Sequence, residues 1–400
     1  MKSTFFTGKQ ARFFFLLSLT AFAGNAWAQS SYNTSTGQAN KYIATGMPIL
    51  QIAPDAVAGA LGDAGVASEA DAYSAHWNNA KLAFAPNEFS ISTTYTPWLR
   101  KLDSEMNFLY LGAYKRINKR SAAGMSITYF TLGKIQHTDE TGNVMGEFNP
   151  NEFAIDGTYA MQLSENLSLG ATARFMHSDL TQGMVVEQQT TKAANGLSAD
   201  VGLYYQKEID KYQQFALGLH ISNLGSKLSY SDDDTDNEFL PANLRLGGRY
   251  TYEIDDYNKF NILLDFNKLL VPTPPRSVGD TTFSDYYANL TEYQRTGSIL
   301  GAIQSFYDAP DGLIEELHEV TLSLGAEYWY SNTFAARMGY FFEHRDKGAR
   351  QYLTLGVGVR YNIFNIDFSY LVPTSNFSQN PLANTLRISV TLNFAKNKKS

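Results

Sequence analysis

From about residue 88 to residue 394 the chain alternates apolar and polar side chains, one short segment after another. EFAIDGTYAM sets Phe153, Ile155, Gly157, Tyr159 and Met161 against Ala154, Asp156, Thr158 and Ala160. QFALGLHIS gives Phe215, Leu217, Leu219 and Ile221, and YLTLGVGVRY gives Leu353, Leu355, Val357, Val359 and Tyr361. A period of two means strands with one apolar face. About fourteen such segments occur, near 88–97, 105–117, 121–132, 152–163, 167–178, 197–208, 213–224, 242–254, 259–270, 319–331, 333–344, 350–362, 364–373 and 384–394. Their length suits the roughly 9–11 residues a tilted membrane strand needs.

The connections are sorted by parity. Every second one is tight: INKRS, LSEN, IDKYQ, IDDYN, YSN and NIFN. The others are mostly long, near 133–151, 179–196, 225–241 and 271–318. Short turns on one side and long loops on the other mark an outer-membrane barrel, and a soluble sandwich has no cause to sort its loops this way. In hydrocarbon every backbone polar group needs a partner, and closing the sheet removes its edges. The expected fold is therefore all-β, a transmembrane antiparallel up-and-down barrel of about 14 strands. Its last strand, TLRISVTLNF, ends on Phe394, the usual terminus of such barrels and their assembly signal.

Composition narrows the function classes. Residues 1–28 read as a secretory signal: Lys2, Lys9 and Arg12, an apolar run Phe13–Ala23, and Ala26-Trp27-Ala28 at the cleavage point. Without it, 29 basic residues face 39 acidic ones, a balance against nucleic-acid partners. There is no cysteine, which excludes disulfides and thiolate chemistry. The six histidines, at 76, 137, 177, 220, 318 and 344, form no HxxxH or HExxH pair, and GxSxG is absent. No catalytic residue, cofactor or metal ligand is nominated. His220, between Leu219 and Ile221, is expected on the lumen face as a hydrogen-bonded polar residue.

Residues 29–87 precede the first strand. Small residues, Pro48 and Pro54, and the apolar anchors Ile49, Leu50, Ile52, Leu61, Val66, Trp77, Leu82 and Phe84 suit a segment packed inside the pore. In this plug, or hatch, Asp55, Asp63, Asp71, Trp77 and Asn78 are the candidate residues, with Asp63, Asp71 and Asn78 expected to pair with polar lumen-facing side chains. A flexible leader is the alternative. Residues 395–400 form a basic periplasmic tail.

The arrangement GMPILQIAPDAVAGALGDAGVASEADAYSAHWNNAKLAF, ahead of a first strand, resembles the amino-terminal hatch of FadL-like outer-membrane proteins. More narrowly it resembles the PorV family of the type IX secretion system in the Bacteroidetes. Asn79 departs from the proline common in the wider family, which is expected to loosen one turn. The resemblance implies a non-enzymatic carrier working beside a giant translocon barrel (SprA/Sov-like). It would accept cargo through the carboxy-terminal signal domain and deliver it to a PorU-like sortase for attachment to lipopolysaccharide. A FadL-like transporter of hydrophobic small molecules and a lipid A O-deacylase are the competing readings.

The 271–318 loop is the candidate partner surface. It holds Tyr286, Tyr287, Leu290, Tyr293, Ile299, Leu300, Ile303, Phe306 and Tyr307 at loosely helical spacing. These side chains either fold down over the barrel mouth or form a contact surface. The acidic run Asp232, Asp233, Asp234, Asp236 and Glu238 reads as a solvated loop, because it lacks the calcium-loop glycine.

Overall fold

The computed structural model describes residues 42–138, 144–183, 185–186, 189–231, 237–275, 283–374 and 380–395. The signal sequence, Asp232 to Asp236 and the end of the basic tail lie outside the described residues.

Fourteen strands close into one antiparallel barrel. They are β1 Phe89–Pro97, β2 Asn107–Arg116, β3 Ser121–Thr131, β4 Asn151–Gln162, β5 Leu167–Asp179, β6 Ala194–Asp210, β7 Gln213–Gly225, β8 Asn243–Glu253, β9 Asn258–Leu269, β10 Val320–Tyr330, β11 Phe334–Phe342, β12 Gln351–Tyr361, β13 Phe364–Pro373 and β14 Leu386–Phe394. Each pairs with its chain neighbour, and β14 returns to β1 with Phe89 opposite Phe394. Those two rings lie 5.6 Å apart across the seam.

The two faces differ as the alternation requires. On β1, Ser90, Ser92, Thr94 and Thr96 are buried in the lumen, while Tyr95 is exposed outward. Leu353, Leu355, Val357 and Val359 of β12 stand on the outer face beside Met338 and Phe334 of β11. Exposed side chains on this face are the ones hydrocarbon covers. No helix among the described residues is long and apolar enough to cross a membrane.

The tight turns all lie at one end. At Ser331 and Asn332 both residues take positive φ, 53° and 51°, the backbone of a two-residue turn that matches strand twist. Tyr212, Tyr257, Tyr330, Tyr361 and Phe364 are exposed at this end, where aromatic rings suit the headgroup boundary. The opposite end carries the long connections. One of them, expected to be plain loop, folds as a separate hairpin, Ile135–Thr138 on Val144–Phe148. The longest carries helices α3 Phe283–Arg295, α4 Ser298–Gln304 and α5 Leu313–His318.

Candidate functional site

Residues 42–87 run through the lumen. Two short helices, α1 Ala56–Gly59 and α2 Ser74–Trp77, and two 3-10 turns, Pro48–Gln51 and Asn79–Phe84, give the segment its shape. One carboxylate joins its halves. Asp55 caps the first helix by accepting the Ala58 N–H at 2.8 Å, and its other oxygen accepts Trp77 Nε1–H at 2.6 Å. Gly65 lies under the Trp77 ring, where a Cβ would meet ring carbon at 2.6 Å.

Among the described residues, nine strands of the barrel wall hydrogen-bond to this segment, β1, β2 and β4 through Thr93, Arg116 and Gln162, and six more as follows. Ala56 N–H donates to Ser389 Oγ of β14, and Gly62 N–H to Thr354 Oγ1 of β12, both at 2.9 Å. Asp265 Oδ2 of β9 accepts the Gly65 and Val66 N–H groups at 2.7 and 2.9 Å. Asn78 Nδ2 donates to the Leu203 carbonyl of β6 at 2.9 Å, and Ser168 Oγ of β5 to the Ala80 carbonyl at 2.8 Å. Arg245 of β8 donates to the His76 carbonyl at 3.1 Å. Such close approach needs small side chains on the wall. At Gly218 a Cβ would collide with the Val66 carbonyl, and at Gly202 with the Asn78 and Asn79 side chains. Gly62, at φ 68°, abuts the Tyr340 backbone, where a Cβ would sit 2.6 Å from nitrogen.

The candidate residues are used in different ways. The Tyr352 hydroxyl of β12 donates to Asp63, and Arg387 of β14 lies 4.0 Å from the same carboxylate. Asp71 does not meet the wall. It sits three residues before the second short helix, and its Oδ1 accepts from Ser74 Oγ and Tyr73 N–H at 3.2 and 3.0 Å, a local capping arrangement. Asn78 reaches the wall through a backbone carbonyl rather than a side chain.

Asn79 does more than loosen a turn, since its amide donates to Thr172 Oγ1 at 3.0 Å and to the Asp200 carbonyl at 3.3 Å. Sequence reasoning missed Lys81, fully buried with Nζ donating to Gly65 O at 2.7 Å and Ser68 Oγ at 2.8 Å. Burial pushes the Asp55 carboxyl up, pushes Asp71 up to about 6, and brings Lys81 down to about 8. His220 faces the lumen as expected, but neither ring nitrogen has a protein partner among the described residues.

The lumen wall carries its own ion pairs. Arg174 of β5 binds Asp156 of β4 at 2.6 Å and Asp200 of β6 at 3.0 Å. Arg337 of β11 binds Glu327 of β10 at 2.6 Å and Asp367 of β13 at 2.7 Å. Above the segment, a cavity of about 100 Å³ opens at the long-loop end. Its lining is largely polar, including Asp63, Arg245, Glu319, Glu343 and Arg350.

The helical loop divides its residues by size. On α4 the small Gly301 and Ala302 are buried, Gly301 against Phe239 and Pro272. Ile299, Leu300 and Ile303 point away, 73, 53 and 56 % exposed. Phe306 and Tyr307 are exposed too, as are Leu313, Ile314 and Leu317 of α5. On α3, Leu290 and Tyr293 are half-buried, and Tyr293 meets the Phe239 ring edge-on at 5.3 Å. Tyr286 and Tyr287 lie on α3, and their side chains are outside the described residues. Beneath the patch, Lys268 binds Glu316 and Glu319 at 2.9 and 2.6 Å, and Lys347 binds Glu315 and Glu319 at 2.9 Å each. Glu238, next to the acidic run, is exposed.

Several solved structures are similar at low identity. The Pseudomonas putida toluene transporter TodX matches with a TM-score of 0.49 and 10 % identity over 85 % of this chain and 98 % of that one. The CymD monoaromatic hydrocarbon channel gives 0.49 and 14 % over 85 % and 97 %. A Pseudomonas aeruginosa FadL homologue gives 0.44 and 11 % over 89 % and 100 %. No curated protein matches the sequence. The family model described as type IX secretion system protein PorV matches residues 35–276, from ahead of the lumen segment through β9. More than half of the chain carries that match on a closed fourteen-strand barrel, and the chain belongs to the PorV family, as an outer-membrane component of the type IX secretion system.

Proposed function

We propose that this barrel works as a docking platform and carrier rather than a conduit. In this reading it receives cargo at its loop-bearing end from the translocon barrel, by way of the cargo's carboxy-terminal signal domain. It then presents that cargo to the sortase that attaches it to lipopolysaccharide. Residues 42–87 act as the plug, and Phe394, paired with Phe89, ends the strand read during barrel assembly.

The observation that carries the proposal is the exposed apolar surface of α4, α5 and the connection between them, with Ile299, Tyr307, Leu313 and Ile314 each at least 69 % exposed. A monomer rarely presents so many large apolar side chains together without a partner for them. The lumen supports the same reading. A cavity of about 100 Å³ with a mostly polar lining is small beside the roughly 300–1,000 Å³ and the apolar walls of ligand pockets. A hydrophobic-molecule transporter of this shape would need the many-strand tether of the plug to break first.

The test is capture from mildly solubilised, cross-linked membranes by the tagged protein, followed by mass spectrometry. Wild type should recover secreted proteins that retain a common carboxy-terminal domain, or a very large barrel. Ile299→Asp with Ile314→Asp should lose them while the protein keeps the heat-modifiable gel mobility of a folded barrel. Burying one such side chain contributes about 1.5–3 kcal/mol, so the double change should weaken capture at least tenfold, which corresponds to about 1.4 kcal/mol. Equal recovery by wild type and variant, or recovery of neither class of partner by wild type, refutes the proposal.

A further inference from the structure

Two histidines distant in sequence meet at the long-loop end. His318 is the last residue of α5, and His344 lies two residues beyond β11. Their rings are face to face, with centroids 3.5 Å apart and planes 9° from parallel. One donor atom from each ring and one carboxylate oxygen of Asp346 fall within 4.8 Å of one another. Asp346 also binds the ring directly: its N–H donates to His344 Nδ1 at 3.3 Å, and its Oδ2 lies 3.6 Å from the same nitrogen.

The backbones behind these donors are fixed. The Lys347 and Ala349 N–H groups both donate to the His344 carbonyl, at 3.0 and 3.1 Å. The Lys347 ammonium in turn anchors α5 through Glu315 and Glu319. Lys347 thus ties the helix that carries His318 to the turn that carries His344 and Asp346. Two imidazoles and one carboxylate suit a borderline ion such as Zn²⁺ and not the all-oxygen preference of Mg²⁺ or Ca²⁺.

We infer that His318, His344 and Asp346 bind a divalent transition-metal ion of the Zn²⁺ class, which clamps α5 to the connection between β11 and β12. Three protein donors leave a coordination position open to solvent or to a side chain of a docked protein. In the stacked arrangement the in-plane lone pairs of the two rings run parallel, so a shared ion requires one imidazole to turn about its Cβ–Cγ bond. The site stands on the closeness of the three donors and does not depend on the carrier reading.

The full chain without a polyhistidine tag, stripped with chelator and held in detergent, is titrated with ZnCl₂ by calorimetry. One equivalent should bind, and MgCl₂ and CaCl₂ should produce no such uptake. His318→Ala and His344→Ala should each abolish it, and Asp346→Asn should weaken it, with heat-modifiable mobility verifying a folded barrel in every case. Zn²⁺ should also slow amide exchange across Leu313–His318 in wild type and not in His344→Ala. Absence of uptake by wild type, or unchanged uptake by either histidine variant, overturns the inference.

Discussion

Trp77→Ala should release the two halves of the lumen segment from each other while leaving the barrel intact. Trp77 is 4 % exposed, its Nε1–H is held by Asp55 at 2.6 Å, and the Arg245 guanidinium lies 4.9 Å from the ring centre. Truncating a buried aromatic to alanine costs about 3–5 kcal/mol. Leaving the Asp55 oxygen without its donor costs about 1–3 kcal/mol. Both losses fall on one site and do not add, so about 4 kcal/mol is expected overall. Trp77→Phe keeps a ring and removes only the N–H, for about 1–3 kcal/mol.

The barrel ladder does not pass through the segment, so the loss should be local. Hydrogen exchange of the amides of residues 56–66 reads it directly, and conductance in planar bilayers reads its consequence. Wild type should be protected and closed, Trp77→Ala fast-exchanging with transient openings, and Trp77→Phe intermediate. All three should remain heat-modifiable in gels. Full protection in Trp77→Ala would show that the wall bonds alone hold the segment. Loss of the folded barrel would show that segment and sheet are not separable. Either outcome refutes the reasoning.

Gly218→Val should drive the Val66 backbone off the wall, with overpacking of about 1–3 kcal/mol, seen as proteolysis of residues 63–68 in an otherwise folded barrel. Burial raises Asp71 from 3.8 to about 6, so its protonated form is favoured in the folded segment. That contribution is complete below pH 3.8 and is lost as the pH rises through about 6, so exchange near Asp71, corrected for intrinsic rates, should speed up across this window. Asp71→Asn should flatten the dependence. Lys347→Met should remove one ion pair each from Glu315 and Glu319. Breaking such a buried pair costs about 3–5 kcal/mol, and amide exchange across Leu313–His318 should rise accordingly.

The strands were legible because two environments act on the two faces of one sheet. Lipid demands Leu353, Leu355 and Val357 on one side, and the lumen tolerates Ser389, Thr391 and Arg387 on the other. Each of the fourteen segments read from the alternation overlaps one barrel strand, with ends displaced by at most a few residues. The largest displacement is at β6, which begins at Ala194 and carries a register shift between Ala199 and Val201, an irregularity that alternation cannot announce.

The lumen chemistry was harder to read, because inward positions obey no single hydropathy. Two of its ion pairs were nevertheless within reach. Asp156 and Arg174 face each other across the LSEN turn, and Glu327 and Arg337 across YSN, so projecting each hairpin's register from its turn would have found them. The wall glycines Gly202 and Gly218 occupy inward positions and marked where backbone would press close. The Asp55–Trp77 bond had no such signal, since the two lie 22 positions apart with no regular period between them. The meeting of His318 with His344 was hidden for a related reason. It depends on where a 50-residue connection returns to the rim, which no local spacing records.

The seam between β1 and β14 governs the order of construction. Ala56 is bonded to Ser389, 333 positions later in the chain. The first strand cannot find its second neighbour until the carboxy-terminal strand has been delivered. Until then the first and last strands each lack one neighbour. Closure therefore waits for one end of the chain, and what it encloses comes from the other.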